Sequence, residues 1–426
     1  MGIPKLNELI KRYAPNAKTT IPISKFRGTR IAIDANNLLC SKMYVANAQS
    51  CDLKALKIDP FAKIDRTEAD RKWYENLLNL VSTFSGYGIT PVFVFDGIHV
   101  PQKAKTQEKR SDDRKANQKR AVELAETLAN TPLLERTDED LEKLGKAKAS
   151  SSMFLTTELK QSFKTLLNMV GVPVLTAHGE AEDLCCMLSH LGHVSAVYSC
   201  DVDCFVLGAN ITISGITKGS RYPNQTFDVT LYDKILQGFG MDRKTFVDMC
   251  IFGGCDFNYG TKGVAITTAY NDMKKYGSME NIMANVERDY VGEEGMNLNL
   301  EFCRNIFRIK TIPECLADAH EGKLPNLNID RNSLAHPHTR AYLRQLGIEL
   351  YMAKLEASYA NIKGCGDRGA EYILGNRLLP NNQNLPFDFY IEKPAEDPRE
   401  TENKRSVYEF RESDMINPIS DMVVFK

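Results

Sequence analysis

The sequence predicts an α/β protein built on a twisted, mainly parallel sheet flanked by helices. Two apolar runs and the helix between them carry that expectation. Arg30-Ile31-Ala32-Ile33 and Pro91-Val92-Phe93-Val94-Phe95 are continuous β-forming runs, as strands covered on both faces require. Residues 73–87 lie between them with helical periodicity through Leu77, Leu78, Val81 and Phe84, and stop at Gly86 and Gly88.

Helix and strand alternate again further on. Residues 155–170 read as helix, 172–175 as strand, 180–191 as helix and 194–198 as strand. The intervening stretch 103–152 is charged and poor in large apolar side chains, so it reads as a solvated helix pair or a flexible insertion. A further unit begins near Thr245, where residues 247–252 look helical and lead into the glycine-rich 253–263. Beyond Leu334 one helix is expected over 339–359. The resulting division is 1–100, 101–152, 153–244, 245–333 and 334–426, the last of unknown role.

Composition excludes several classes. With 426 residues, 43% hydrophobic and 26% charged, the chain can bury a sizeable core. No stretch approaches the roughly 20 apolar residues of a membrane span. Residues 1–11 lack a signal peptide's apolar core, and Leu6 stands where myristoylation needs Ser or Thr. Eleven cysteines without an export signal point to reduced thiols inside a cell, in nucleus or cytoplasm. Cys185-Cys186, Cys200 and Cys204 lack a paired C-x-x-C knuckle, which favours buried thiols over zinc. Fifty-four basic against fifty-five acidic residues leave a net charge of -1, so any attraction for nucleic acid has to be local.

The strand ends hold the most informative residues. Asp34 and Asp96 follow apolar runs directly, Asp201 and Asp203 lie just past Tyr198, and Glu180 and Glu182 stand where a strand hands over to a helix. One carboxylate after a strand is usually a turn former or helix cap. Several together are another matter, because ligands of open parallel sheets bind beyond the carboxyl ends of the strands. Two carboxylates about 4 Å apart repel by roughly 4 kcal/mol at an effective dielectric near 20, so a cluster calls for cations. Oxygen ligands suit Mg²⁺ or Mn²⁺, and a pair of such ions is the usual arrangement for hydrolysing a phosphodiester.

A basic segment follows Asp96. Residues 101–120 hold Lys103, Lys105, Lys109, Arg110, Arg114, Lys115, Lys119 and Arg120 against three acidic residues. Such a run is most often a solvated helix face. Its position at the mouth of an acidic site also suits it to attract a phosphate backbone that carboxylates alone would repel.

Met1-Gly2-Ile3-Pro4, Ile33-Asp34-Ala35, Val94-Phe95-Asp96-Gly97, Gly179-Glu180-Ala181-Glu182, Cys200-Asp201-Val202-Asp203-Cys204 and Gly254-Cys255-Asp256-Phe257 occur in an ordered set. That set, within residues 1–282, resembles the flap endonuclease (XPG-type) structure-specific 5′ nucleases. The resemblance implies a 5′-nuclease (PIN-like) fold with a basic helical arch over 103–152 and a helix-hairpin-helix-like DNA-binding region. It also implies two divalent ions held by Asp34, Asp96, Glu180, Glu182, Asp201, Asp203 and Asp256. The first four would serve mainly one ion and the last three the other. The family's catalytic lysine and arginine fall on Lys103 and Arg110, and Gly2, at a trimmed amino terminus, would lie near the DNA. The implied partner is DNA with 5′ flaps or junctions, bound by a monomer with no membrane association.

Three departures from the family pattern stand out. Cys40 replaces an aromatic residue that stacks on a base in many members. The hairpin loop reads Gly263-Val264-Ala265-Ile266-Thr267-Thr268-Ala269, keeping the first glycine but losing the second and the basic residues. The amide cradle for duplex phosphate, with its monovalent cation, is weakened accordingly. The stretch 383–390 has the terminal aromatics of a sliding-clamp peptide, but Pro386 sits where an aliphatic residue belongs. Gly254-Cys255-Asp256-Phe257 with Ala265-Ile266-Thr267 also resembles the divergent members encoded by large DNA viruses.

The expected reaction is metal-dependent hydrolysis of DNA near a single-strand/duplex junction, in replication, repair or recombination. Two alternatives stay open: a 5′→3′ exonuclease on DNA or RNA using the same residues, and a catalytically silent junction-binding protein.

Overall fold

The computed structural model describes residues 2–97, 104–153, 155–257, 261, 263–288, 300–317, 323–363 and 369–374, with the side chains of 104–110 and 371 left aside. Seven strands form one sheet: β1 Lys18–Pro22, β2 Arg30–Asp34, β3 Thr90–Phe95, β4 Val174–Thr176, β5 Ala196–Tyr198, β6 Ile211–Ile216 and β7 Thr226–Leu231. Their order is β1-β7-β6-β5-β2-β3-β4. The five strands from β6 to β4 are parallel, while β7 and β1 add an antiparallel margin. The α/β class and mainly parallel sheet are therefore as the apolar runs indicated.

The helices are α1 Leu6–Tyr13, α2 Ala35–Gln49, α3 Leu53–Ile58, α4 Arg66–Gly86, α5 Ala104–Asn130, α6 Asp138–Ser151, α7 Thr157–Met169, α8 Ala181–His190, α9 Asp203–Val206 and α10 Tyr232–Phe239. They continue as α11 Arg243–Phe252, α12 Ile266–Tyr276, α13 Met279–Asn285, α14 Leu300–Phe307, α15 Ile312–Cys315, α16 Pro337–Gln345, α17 Tyr351–Tyr359 and α18 Ala370–Leu374. Several starts follow local chemistry. Asp65, Thr137, Thr156, Asp242 and Ser278 accept first-turn N–H groups with their side chains, each such cap typically contributing about 1 kcal/mol.

Alternation along the central strands divides the core. Ala32, Val92, Val94 and Val197 face a layer made by α1, α8 and α10–α14. Ile31, Ile33, Phe93, Phe95 and Tyr198 face α2, α4 and α7, with Trp73 and Phe163 beneath them. Both faces are covered, which is why β2 and β3 are buried along their whole length and apolar through their middles.

Two expectations are corrected. The helix expected over 339–359 is two helices, α16 and α17, because the chain turns at Gly347 with φ +70. Their apolar residues Leu343, Ile348, Met352, Leu355 and Tyr359 belong to the same core as α4 and α7. The helix expected to start at Trp73 starts about two turns earlier, at Arg66, where Asp65 caps a polar first turn. The basic stretch is a helix pair, α5 and α6, sharing a small apolar cluster of Leu56, Ala125, Leu128, Leu141 and Leu144. Among the described residues, no helix is long and apolar enough to cross a membrane.

Candidate active site

Parallel strands deliver their carboxyl ends to one edge of the sheet, and the acidic residues gather there. β2 ends in Asp34, which is only 2% exposed and caps α2 by accepting the Asn37 N–H at 3.4 Å. β3 ends one residue before Asp96. Asp96 Oδ1 accepts the Ala181 N–H at 2.9 Å, so this carboxylate closes the amino end of α8 from another strand. Glu180 occupies the cap position of α8 without capping it, and Glu182 lies in the first turn. Ligand oxygens of Asp96, Glu180 and Glu182 all lie within 4.8 Å of one another. Asn36 donates from Nδ2 to Asp96 Oδ2, which fixes the second oxygen.

The next strand supplies a second group. Past the end of β5, Ser199 Oγ donates to Asp34 Oδ2 at 2.9 Å and accepts the Asp201 N–H at 3.1 Å. Asp201 Oδ1 accepts the Asp203 N–H at 3.1 Å, and Asp203 heads α9. Asp256 arrives from the loop after α11, and its Oδ2 faces the Gly2 N–H at 3.4 Å. Gly2 has φ +68, and a Cβ there would fall 2.1 Å from Asp203 Oδ1 and 3.0 Å from Asp201 Oδ1. Glycine alone fits, by backbone conformation and by space. The amino-terminal segment is thus packed among Asp201, Asp203 and Asp256.

Crowding has an electrostatic cost. Burial first, then the Asp96 carboxylate, pushes Asp34 up to about 7 against the hydrogen bond from Ser199. Burial also pushes the Cys200 thiol up to about 11, so it stays a neutral neighbour. The donor set that remains is carboxylate oxygen, which fits hard divalent cations such as Mg²⁺ and Mn²⁺. The ten described cysteines are free thiols.

The basic residues stand differently. Lys103 lies outside the described residues. Lys105, Lys109 and Arg110 fall in the backbone of α5, with side chains outside the description. Arg114 and Lys115 are exposed on the same helix, and Lys115 pairs with Asp112 at 3.3 Å, a surface contact worth little. Gly263 precedes α12 with φ +75 in a turn that leaves open space around its Cα. α12 packs on α11, so a helix–loop–helix is present although its loop sequence is altered.

Residues 1–117 match the XPG N-terminal domain and residues 171–256 the XPG I-region. Those two segments contain all seven clustered carboxylates. Flap endonuclease 1 of Aedes aegypti is 30% identical over 311 residues, covering 72% of this chain and 75% of that protein. The chain belongs to the XPG/flap endonuclease family. Flap endonuclease 1 of Meyerozyma guilliermondii is likewise 30% identical, over 68% of this chain and 71% of its own. Two solved structures share the fold. Flap endonuclease-1 from Methanococcus jannaschii matches at 20% identity and TM-score 0.50, covering 83% of this chain and 98% of that one. Human GEN1 in complex with Holliday junction DNA matches at 17% identity and TM-score 0.52, covering 84% and 78%.

Three groups in this family member's site were not singled out from sequence: Ser199, Asn36 and the Ala181 amide. Ser199 has a faint signal, a hydroxyl at a strand end directly before the Cys200-Asp201 pair. The role of the Ala181 amide depends on how α8 meets β3, which no local pattern encodes.

Proposed function

We propose that this chain is a structure-specific 5′ nuclease that hydrolyses DNA phosphodiesters at single-strand/duplex junctions with two divalent cations. The closeness of Asp96, Glu180 and Glu182, whose ligand oxygens lie within 4.8 Å of one another, to buried Asp34 and, through Ser199, to Asp201 supports this reading. Acidic groups this close to a residue as buried as Asp34 favour neutralisation by bound cations at the pH where they are ionised. Asp34, Asp96, Glu180 and Glu182 would hold mainly one ion, and Asp201, Asp203 and Asp256 the other. Bound there, the ions supply charge neutralisation and Lewis acidity toward water and phosphate.

The chain's own residues do the rest. Ser199 and Asn36 keep Asp34 and Asp96 in place. Lys103 and Arg110 steer the scissile phosphate and offset its developing charge. The cations of α5, Lys105, Lys109, Arg114 and Lys115, draw in the phosphate backbone, and the turn at Gly263 approaches the duplex. The names of the relatives and the junction DNA bound to human GEN1 support DNA as the substrate class.

The test is cleavage of 5′-labelled flap, nicked and blunt DNA, with Mg²⁺ and with chelator. Release of a labelled oligomer from the flap, dependent on Mg²⁺, is expected. Labelled mononucleotides would make the protein an exonuclease, and binding without cleavage would make it a silent junction binder.

A further inference from the structure

The carboxyl end of α6 is held by a side-chain clamp. Asn47, 0% exposed in α2, donates from Nδ2 to the carbonyls of Ala149 at 3.2 Å and Ser152 at 3.0 Å. Its Oδ1 accepts from Arg66 Nη1 at 3.1 Å. Arg66 also reaches the Ser152 carbonyl at 3.4 Å and pairs with Asp70 at 2.9 Å. The last carbonyls of a helix have no partner within it and are commonly met by a glycine turn or water. Here two side chains from two other helices, α2 and α4, meet them.

The surroundings reinforce the clamp. Tyr44, Val45, Ala149 and Met153 form an apolar cluster beside it. Lys148 donates to the Ala62 carbonyl at 2.8 Å, which ties the same turn of α6 to the segment before α4. Gly145 sits so close to Leu53 that a Cβ would meet Leu53 Cδ2 at 3.1 Å.

α2 is capped by Asp34 at its other end. Asn47 lies thirteen positions along from Asp34, about 20 Å at 1.5 Å per residue. One rigid rod therefore carries a carboxylate of the cluster at one end and the seat of the basic helix pair at the other. Because α5 packs on α6 through Leu128, Leu141 and Leu144, fixing α6 also fixes the cations of α5 relative to the carboxylates.

We infer that Asn47, with Arg66, is a positioning residue that sets the stance of the α5–α6 pair relative to the acidic cluster and so controls capture of the substrate strand. The inference rests on the proposed nuclease reading and adds a residue without contact to the reacting atoms. Loss of the clamp lets the pair sample other stances. Strand capture then weakens, while the bond-breaking groups of a correctly seated complex are unaltered.

The experiment compares wild type with Asn47→Ala and the isosteric Asn47→Asp, which keeps the acceptor toward Arg66 but removes both donors. Hydrogen exchange is followed over 138–152, alongside KM and the single-turnover rate on flap DNA. Exchange in 138–152 should accelerate about tenfold and KM rise about tenfold, with the saturating single-turnover rate within about twofold. Unchanged exchange and KM in both variants overturn the inference. So does faster exchange spread over the whole chain with all rates reduced, which marks a merely structural residue. If Asn47→Ala does not fold, Asn47→Asp decides by the same criteria. Wild type that cleaves no flap DNA overturns the functional reading and this inference with it; variants indistinguishable from an active wild type overturn the inference alone.

Discussion

The hydroxyl of Ser199 donates to Asp34 Oδ2 at 2.9 Å while accepting the N–H of Asp201 at 3.1 Å, joining the Asp34 carboxylate to the Asp201 backbone through one oxygen. This hydrogen bond opposes the burial that pushes Asp34 upward. Removing it should loosen the cluster without emptying it. Ser199→Ala is expected to raise the Mg²⁺ concentration for half-maximal cleavage by about 10- to 100-fold, the range for lost supporting contacts at metal sites. An unchanged Mg²⁺ titration would show the link to be incidental.

Asp34 itself sets function against stability. In the metal-free fold it sits at about 7, above its ordinary 3.8. A carboxyl raised in this way contributes most below pH 3.8, and that contribution is lost as pH rises through about 7. Asp34→Asn should therefore raise the melting temperature of the metal-free protein at pH 8 by about 2–4 °C while abolishing cleavage. Thermal melts in chelator check this, and a lowered melting temperature contradicts it.

His190 gives a dependence of the opposite kind. Burial, aided by the Arg243 cation, pushes it down to about 4, while its Nε2 lies 2.9 Å from the Leu207 carbonyl just past α9. A group depressed from 6.5 keeps its full contribution above that pH and loses it as pH falls toward 4. The loss at pH 5 is roughly 2 kcal/mol, from 1.36 kcal/mol per unit. Urea unfolding at pH 7 and pH 5 should show a smaller acid-induced loss for His190→Gln than for wild type by about that amount. Equal losses would place His190 outside the acid response.

Much of the fold and site was readable because its physics is local. Residues 31–33 of β2 and 91–95 of β3 are continuous apolar runs, since both faces are covered, and each hands over directly to an acidic residue. β1 was not readable: Lys-Thr-Thr-Ile-Pro is a mostly exposed margin strand, and its pairing with β7 spans two hundred residues. The break at Gly347 was hidden by apolar residues that continue a helical period across it. Asn47 and Ser199 share one obstacle. Each acts through carbonyls, amides or carboxylates brought from elsewhere, and a lone Asn in a helix or Ser after a strand carries no mark of that.

Lys103 and Arg110 test the division between binding and chemistry. Replacing either with Ala should lower the single-turnover rate at saturating enzyme by about 10²–10³, with a much smaller change in affinity for flap DNA. An effect confined to affinity would make them ordinary phosphate contacts.

The central claim is that Asp34, Asp96, Glu180, Glu182, Asp201, Asp203 and Asp256 together hold two cations. Anomalous scattering from a crystal soaked in Mn²⁺ measures this directly. The account predicts two peaks at the carboxyl edge of the sheet, one against Asp96, Glu180 and Glu182 and one against Asp201, Asp203 and Asp256. A map without peaks among these oxygens, at a Mn²⁺ concentration that supports cleavage, would contradict it.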